Sequence, residues 1–97
     1  YQLGAPGSIA AILTAAPGPS VGLWNAVIEE DWNKAKDLHE RLMPLWDAIG
    51  LDNMPSLCKY AQKLQGLETG YARRPTAPAT EPQKELVKNA LKNLNLI

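Results

Sequence analysis

The first 28 residues carry no charged side chain, and they contain the apolar run GAPGSIAAILTAAPGPS, Gly4 to Ser20. Its uninterrupted part, Ser8 to Ala16, lies between the turn-forming pairs Pro6-Gly7 and Pro17-Gly18. A run of this length between turn residues predicts a strand buried on both faces, as in a parallel sheet. A short buried helix is the alternative, because alanine is frequent here. The run is too short and too interrupted to span a membrane, because a membrane span needs about 20 apolar residues.

Four helical segments follow this run. Ser20 is a candidate N-cap for a helix that reaches about Glu30, and Asp31 is a candidate N-cap for the next one. That second helix has apolar residues at spacings of three and four: Trp32, Ala35, Leu38, Leu42, Leu45 or Trp46, and Ile49. Pro44 falls inside the pattern and predicts a kink or break, because proline lacks an amide donor. Gly50 ends the helix.

The last two helices are separated by a long connection. Asn53 is a candidate N-cap for a helix with Leu57, Cys58, Ala61 and Leu64 on its inner face, and Gly66 ends that helix. Residues 67–79 contain Gly70, two prolines, Pro75 and Pro78, and the pair Arg73-Arg74, which indicates an extended connector. Thr80 and Gln83 fit a capping box. The helix that follows has an apolar face formed by Leu86, Val87, Ala90, Leu91, Leu94 and Ile97.

The predicted strand has no partner in this sequence. No other segment predicts a strand, so both edges of Ser8 to Ala16 would lack hydrogen-bonding neighbours. A buried backbone group without a partner costs about 1–3 kcal/mol. Several such groups would rival the total stability of a domain, which is about 5–15 kcal/mol. We therefore expect this segment to be the last strand of a larger sheet.

Composition narrows the classes of protein. With 97 residues the chain forms one domain, and its 10 basic and 10 acidic residues give no net charge. We expect no nucleic-acid partner and no binding to an anionic membrane, because both need clustered excess lysine and arginine. The single cysteine fits a reducing compartment, so we expect a cytoplasmic location.

Few side chains in the sequence are candidates for catalysis, metal binding or ligand binding. His39 is the only histidine, and HERLM lacks the second histidine of a His-Glu-x-x-His zinc motif, so we expect no metal site. Cys58 on an apolar helix face and Lys59 beside it are predicted to be structural. Arg73-Arg74 in the connector is the best binding candidate, because arginine can clamp a carboxylate. The alternative is a salt bridge or carbonyl contact that pins the connector.

Three stretches of the sequence resemble the dihydrodipicolinate synthase / N-acetylneuraminate lyase family. LGAPGSIAAILTAAPGPS is similar to the pattern GA-x-G-V-I-S-V-x-x-N-x-x-P of its last barrel strand. AKDLHERLMPLWDAI is similar to a helix with L-x-P-L, and NMPSLCKYAQKLQGLETGYARRPTAP resembles a segment with N-P-x-P-x-K and G-x-x-R-x-P. Ala10 and Thr14 stand where the pattern has serine and asparagine, which leaves the subgroup open to aldolases and hydratase-aldolases.

The resemblance implies a fold and an activity. The chain would be mainly α, with the last β/α unit of a (β/α)₈ TIM barrel in residues 1–30 and a three-helix C-terminal extension in residues 31–97. Intact members are class I Schiff-base lyases or aldolases that act on pyruvate or related 2-keto acids without a cofactor. They are commonly homo-oligomers.

The resemblance also implies a limited part for this segment in catalysis. The family's Schiff-base lysine and its proton-relaying tyrosine belong upstream of Tyr1, so we expect no catalytic residue here and an inactive chain on its own. The substrate-binding residues carried over are Gly7, Ser8 and Ile9, whose backbone would line one wall of the pyruvate site. The competing hypothesis is a small stand-alone all-helical interaction domain without catalysis.

Overall fold

The computed structural model describes all 97 residues, and every regular element in it is a helix. The five helices are α1 (Ala11–Ala15), α2 (Pro17–Ile28), α3 (Trp32–Ile49), α4 (Met54–Leu64) and α5 (Glu81–Asn93). Together they form an elongated molecule of 41 × 24 × 21 Å. The prediction of a mainly helical chain is confirmed.

The predicted strand from Ser8 to Ala16 is wrong for this chain. Residues 4–10, called here the N-terminal extended segment, contain no regular element, and α1 occupies the second half of the apolar run. Ala10 keeps strand-like backbone angles, with φ −147° and ψ 142°. A strand needs a neighbour to bond its amides, whereas a helix bonds its own, so the half that is buried becomes helical.

Helix α2 begins earlier than predicted. Its N-cap is Ala16 and its first residue is Pro17, whose missing amide costs nothing in the first turn of a helix. Ser20 is therefore inside the helix, where its buried hydroxyl donates a hydrogen bond of 2.7 Å to the carbonyl oxygen of Ala16. The predicted Ser20 cap is wrong, and the chain turns directly from α1 into α2.

Helix α3 is continuous through Pro44, so the predicted break does not occur. Pro44 lies on the exposed side, where water can reach the carbonyl of Glu40 that has no amide partner. Buried Leu42 and Leu45 hold both sides of this position against the core. The start and end agree with prediction, because the Asp31 carboxylate accepts a hydrogen bond of 3.1 Å from the amide of Lys34, and Gly50 is the C-cap.

The ends of α4 and α5 mostly agree with the sequence pattern. Gly66 follows α4 with a positive φ of 88°, a conformation that favours glycine. Thr80 and Gln83 form the predicted capping box of α5. Asn53 occupies the N-cap position of α4, but its side chain makes no capping bond there. The connector, residues 67–79, contains neither helix nor strand.

The core lies between α1, α3, α4 and α5. Thirteen buried residues form one hydrophobic cluster: Ala15, Ala16, Leu42, Leu45, Ala48, Ile49, Leu57, Cys58, Ala61, Val87, Ala90, Leu91 and Leu94. The apolar run that opens the sequence is therefore covered in part by the chain's own helices. Two hydrogen bonds fix it to α4: Gln65 Nε2 donates to the carbonyl of Ala15 at 2.7 Å, and the Cys58 thiol lies 3.9 Å from the carbonyl of Ala11.

Candidate functional site

The N-terminal extended segment carries the three predicted substrate-binding residues, Gly7, Ser8 and Ile9. All three are exposed, and the side chain of Ile9 is fully so. No backbone amide or carbonyl between Ala5 and Ile9 makes a hydrogen bond within the chain. The backbone of residues 5–9 is thus unpaired, and unpaired amides and carbonyls of this kind are what a sheet edge can bond.

The same segment borders a shallow cleft that sequence reasoning did not predict. This cleft of about 330 Å³ lies between the start of the chain, α1, α2 and α3. Ser8 and His39 both line it, together with apolar side chains such as Leu13 and Leu42. No hydrogen bond joins the serine hydroxyl to the imidazole, so the two residues do not form a nucleophile and base pair.

Neither His39 nor Cys58 lies in an arrangement suited to metal binding or to nucleophilic catalysis. His39 is exposed on α3, and no group of three or more His, Cys, Asp or Glu residues is placed to hold a metal ion. Cys58 is buried in the core, and this burial raises the pKa of its thiol. A raised pKa lowers the thiolate fraction near neutrality, which is the reverse of what a nucleophilic cysteine requires.

Lys59 holds the connector against α4. Its ammonium group donates a hydrogen bond of 2.7 Å to the carbonyl of Thr69, and the Thr69 hydroxyl donates one of 3.1 Å to the carbonyl of Lys59. The pair fixes the beginning of the connector by reciprocal contacts. The structure therefore gives Lys59 the structural part predicted for it.

Arg73 and Arg74 are both exposed, and neither makes a salt bridge or a side-chain hydrogen bond in this chain. The alternative prediction, that they pin the connector, is therefore wrong. Arg74 instead borders a second cleft, of about 700 Å³, which lies between α4, the connector and the first turn of α5. We call it the connector cleft. Its lining residues are Ser56, Lys59, Tyr60, Lys63, Leu67, Glu68, Thr69, Gly70, Tyr71, Ala72, Arg74, Thr76, Pro78, Ala79 and Lys84.

The connector cleft brings together basic residues that are far apart in sequence. Lys59 and Lys63 come from one face of α4, Arg74 from the connector and Lys84 from α5. The spacing of Lys59 and Lys63, four residues apart, was a signal that they share a face. No local pattern could show that the connector folds back over that face.

None of the helices is long and apolar enough to cross a membrane.

The model of the dihydrodipicolinate synthetase family matches residues 1–94. This chain belongs to that family.

The relatives agree with the family assignment. The 4-hydroxy-tetrahydrodipicolinate synthase of Archaeoglobus fulgidus is 35% identical over 95 residues, which are 98% of this chain and 33% of that protein. The synthase of the same name from Methanocaldococcus jannaschii is 33% identical over 95 residues, again 98% of this chain and 33% of that protein. The synthase from Methylobacterium radiotolerans is 34% identical over 94 residues, which are 97% of this chain and 31% of the relative.

The chain thus spans about a third of the length of the curated relatives it matches. No solved structure matches it significantly.

Proposed function

We propose that this chain is the C-terminal segment of a class I Schiff-base lyase or aldolase that acts on pyruvate or a related 2-keto acid. Residues 1–30 would supply the last strand and helix of a (β/α)₈ barrel, and residues 31–97 its helical extension. Family membership supports this proposal, as do relatives named synthases that match nearly the whole chain. Helix faces that this chain leaves exposed would provide surface for a homo-oligomer.

The observation that carries the proposal is the free backbone of the N-terminal extended segment. From Ala5 to Ile9 no amide or carbonyl is bonded within the chain, and the side chains of Leu3 and Ile9 are fully exposed. An apolar extended strand with two free edges is an aggregation hazard unless other strands cover it. A barrel supplies one neighbouring strand on each side and so satisfies both edges.

In the intact enzyme this segment would form one wall of the substrate site. The backbone of Gly7, Ser8 and Ile9 would face the keto acid at the carboxyl end of the barrel strands, where the sites of such barrels lie. A lysine from another strand would condense with the keto group and release water, and the protonated imine would accept the electron pair of the adjacent C–H or C–C bond that breaks. The enamine so formed would donate that pair when a new carbon–carbon bond or C–H bond forms. We do not assign this role to Lys59, whose ammonium group donates a hydrogen bond to the carbonyl of Thr69.

The second candidate is a stand-alone helical interaction domain. The hydrophobic cluster of thirteen buried residues is the observation in its favour, because it shows that the helices pack together without a barrel. Two observations favour the enzyme segment instead. The chain matches the synthetase family from residue 1 to residue 94, and residues 5–9 of its extended segment make no backbone hydrogen bond within the chain.

A chimera tests the proposal. The 95 residues of the Archaeoglobus fulgidus relative that match this chain are replaced by residues 1–97. The chimera is incubated with pyruvate and borohydride, and its intact mass is measured. We expect a covalent pyruvate adduct on a lysine outside the grafted segment. The relative's remaining two thirds, expressed alone, serve as the control and should give no adduct.

The same treatment of the 97-residue chain alone completes the test. We expect no adduct, because the chain's own residues only line the site. A stable adduct on Lys59 would contradict the proposal, as would a soluble chimera that forms none. A monomeric, cooperatively folded chain whose first ten residues are also ordered would favour the interaction domain, and circular dichroism with size analysis would detect it.

A further inference from the structure

The connector cleft carries a concentration of positive charge in a chain that has none overall. Four of its lining residues are cationic, Lys59, Lys63, Arg74 and Lys84, whereas Glu68 is the only acidic one. The whole chain has 10 basic and 10 acidic residues. The excess is therefore a property of how the chain folds at this place and is not a reflection of composition.

Two of these cations already have partners, and two are free. Lys84 forms a salt bridge of 2.6 Å with Glu81, and its ammonium group lies 5.8 Å from the centre of the Tyr60 ring. Lys59 is bonded to the neutral carbonyl of Thr69, which leaves its charge uncompensated. Lys63 and Arg74 make no side-chain hydrogen bond or salt bridge. With Lys84 balanced by Glu81, three cations face one carboxylate.

The rest of the lining is suited to the body of a small organic molecule. Tyr60 and Tyr71 contribute aromatic rings, and Leu67, Pro78 and Ala79 add apolar surface. A volume of about 700 Å³ lies within the range of about 300–1,000 Å³ that is usual for small-molecule sites. An arginine without a partner can bind a carboxylate or a phosphate through two parallel hydrogen bonds.

From these observations we propose that the connector cleft binds a small organic dianion, its charged groups on Arg74, Lys63 and Lys59 and its body against Tyr60 and Tyr71. Two negative charges match the excess of two positive charges over Glu68. A phosphate monoester and a dicarboxylate share this chemistry. The site is built entirely from residues 56–84, so it does not depend on the proposed barrel.

Calorimetric titration tests the site with defined probes. Phenyl phosphate represents the phosphate monoesters, benzene-1,2-dicarboxylate the dicarboxylates, and benzoate is the singly charged control. We expect at least one dianion to saturate a single site and to bind about tenfold more tightly than benzoate, because one charge-assisted hydrogen bond fewer costs about that factor. Which dianion binds identifies the charged group of the ligand.

Two variants and a matched control locate the binding. Arg74→Gln and Lys63→Gln each remove a free charge, and neither should unfold the chain, because neither side chain is bonded to the protein. Each should weaken dianion binding about tenfold. Lys36→Gln on α3 removes an exposed cation that pairs only with Glu40, and it should change binding less than about twofold.

The titration is made on the 97-residue chain and on the chimera, so that a poorly folded isolated chain does not decide the result. Saturable binding that is lost in Arg74→Gln and kept in Lys36→Gln, in either protein, supports the site. The proposal is overturned if neither protein binds a dianion more tightly than benzoate. It is equally overturned if Lys36→Gln weakens binding as much as Arg74→Gln, since the attraction would then be that of a general charged surface.

Discussion

Asn53 and Gln83 exchange two side-chain hydrogen bonds, which tie the start of α4 to the first turn of α5. Asn53 Nδ2 donates to Gln83 Oε1 at 2.8 Å, and Gln83 Nε2 donates to Asn53 Oδ1 at 3.1 Å. Asn53 Nδ2 also donates to the carbonyl of Pro78, while Gln83 Oε1 accepts from the amide of Thr80. One pair of amides therefore joins two helix starts and the end of the connector.

Removing either amide should destabilise the chain. Asn53 is only 8% exposed, so Asn53→Ala leaves the amide of Gln83 and the carbonyl of Pro78 without their partner. We expect the free energy of unfolding to fall by about 1–3 kcal/mol, measured by urea denaturation. Gln83→Ala should cost a similar amount. The loss in the double variant should be smaller than the sum of the single losses by at least about 0.5 kcal/mol.

Asn89→Ala is the matched control for this cycle, because Asn89 is exposed on α5 and makes no side-chain hydrogen bond. It should change the free energy of unfolding by less than about 0.5 kcal/mol. If the losses in the free energy of unfolding caused by Asn53→Ala and Gln83→Ala were strictly additive, they would contradict the two hydrogen bonds between these side chains.

Removing the capping-box hydroxyl of α5 should lower the free energy of unfolding by less than removing the side-chain amide of Asn53 or Gln83. Thr80→Ala removes the hydroxyl that accepts a hydrogen bond of 3.4 Å from the amide of Gln83. The bond is long, so we expect a loss near the low end of the usual range, about 0.5–1 kcal/mol. Thr80→Ser keeps the hydroxyl and should retain most of the stability. An equal loss in both variants would show that the threonine methyl group matters and that the cap does not.

Ile9 should be neutral in the isolated chain and essential in the proposed barrel. Its side chain is fully exposed here, so Ile9→Asp should change the free energy of unfolding of the 97-residue chain by less than about 0.5 kcal/mol. In the chimera the same residue would lie on a barrel strand, and a buried unpaired carboxylate would cost several kcal/mol. We expect the Ile9→Asp chimera to lose its pyruvate adduct.

Leu57→Ala provides the contrast to Ile9→Asp. Leu57 is completely buried in the core, and its truncation should cost about 2–5 kcal/mol in the isolated chain. If Ile9→Asp destabilised the isolated chain as much as Leu57→Ala does, the extended segment would have contacts other than those described here.

Alkaline pH should destabilise the chain through Cys58. Burial raises the pKa of this thiol in the folded state, so the unfolded chain loses its proton first. The resulting stability is fully present below the ordinary thiol pKa of about 8.5 and is lost as the pH rises through the raised pKa. We expect a lower free energy of unfolding at about pH 9.5 than at pH 7.5.

Cys58→Val isolates this effect, because valine is of similar size and does not ionise. The decrease in the free energy of unfolding between the two pH values should be smaller in the variant than in the parent. Hydrogen bonding to Glu81 raises the pKa of Lys84 as well. The contribution of Lys84 to the free energy of unfolding is lost only above the ordinary lysine pKa of about 10.4, which lies outside this pH window. An unchanged pH dependence in Cys58→Val would contradict the burial of the thiol.

Local contacts explain what could be predicted from the sequence. Most of the apolar faces of α3, α4 and α5 follow from residue spacing, although Trp32 and Leu86, which the same spacing places there, are exposed. The Asp31 cap, the capping box at Thr80 and the end of α4 at Gly66 involve residues within one turn of each other. The family resemblance was likewise carried by short stretches whose residues are close in sequence, and residues 1–94 match the family.

Contacts between distant segments decided the rest. The backbone of residues 4–16 can serve as strand or helix, and only the presence or absence of neighbouring strands chooses between them. In this chain no neighbouring strand is present, so Ala11–Ala15 is helical and the backbone of residues 5–9 stays unpaired. The sequence predicts Asn53 as an N-cap, yet its side chain is hydrogen-bonded to Gln83, which is 30 positions away. The charge of the connector cleft likewise arises only when residues 59, 63, 74 and 84 meet, because charge adds up in space and not along the chain.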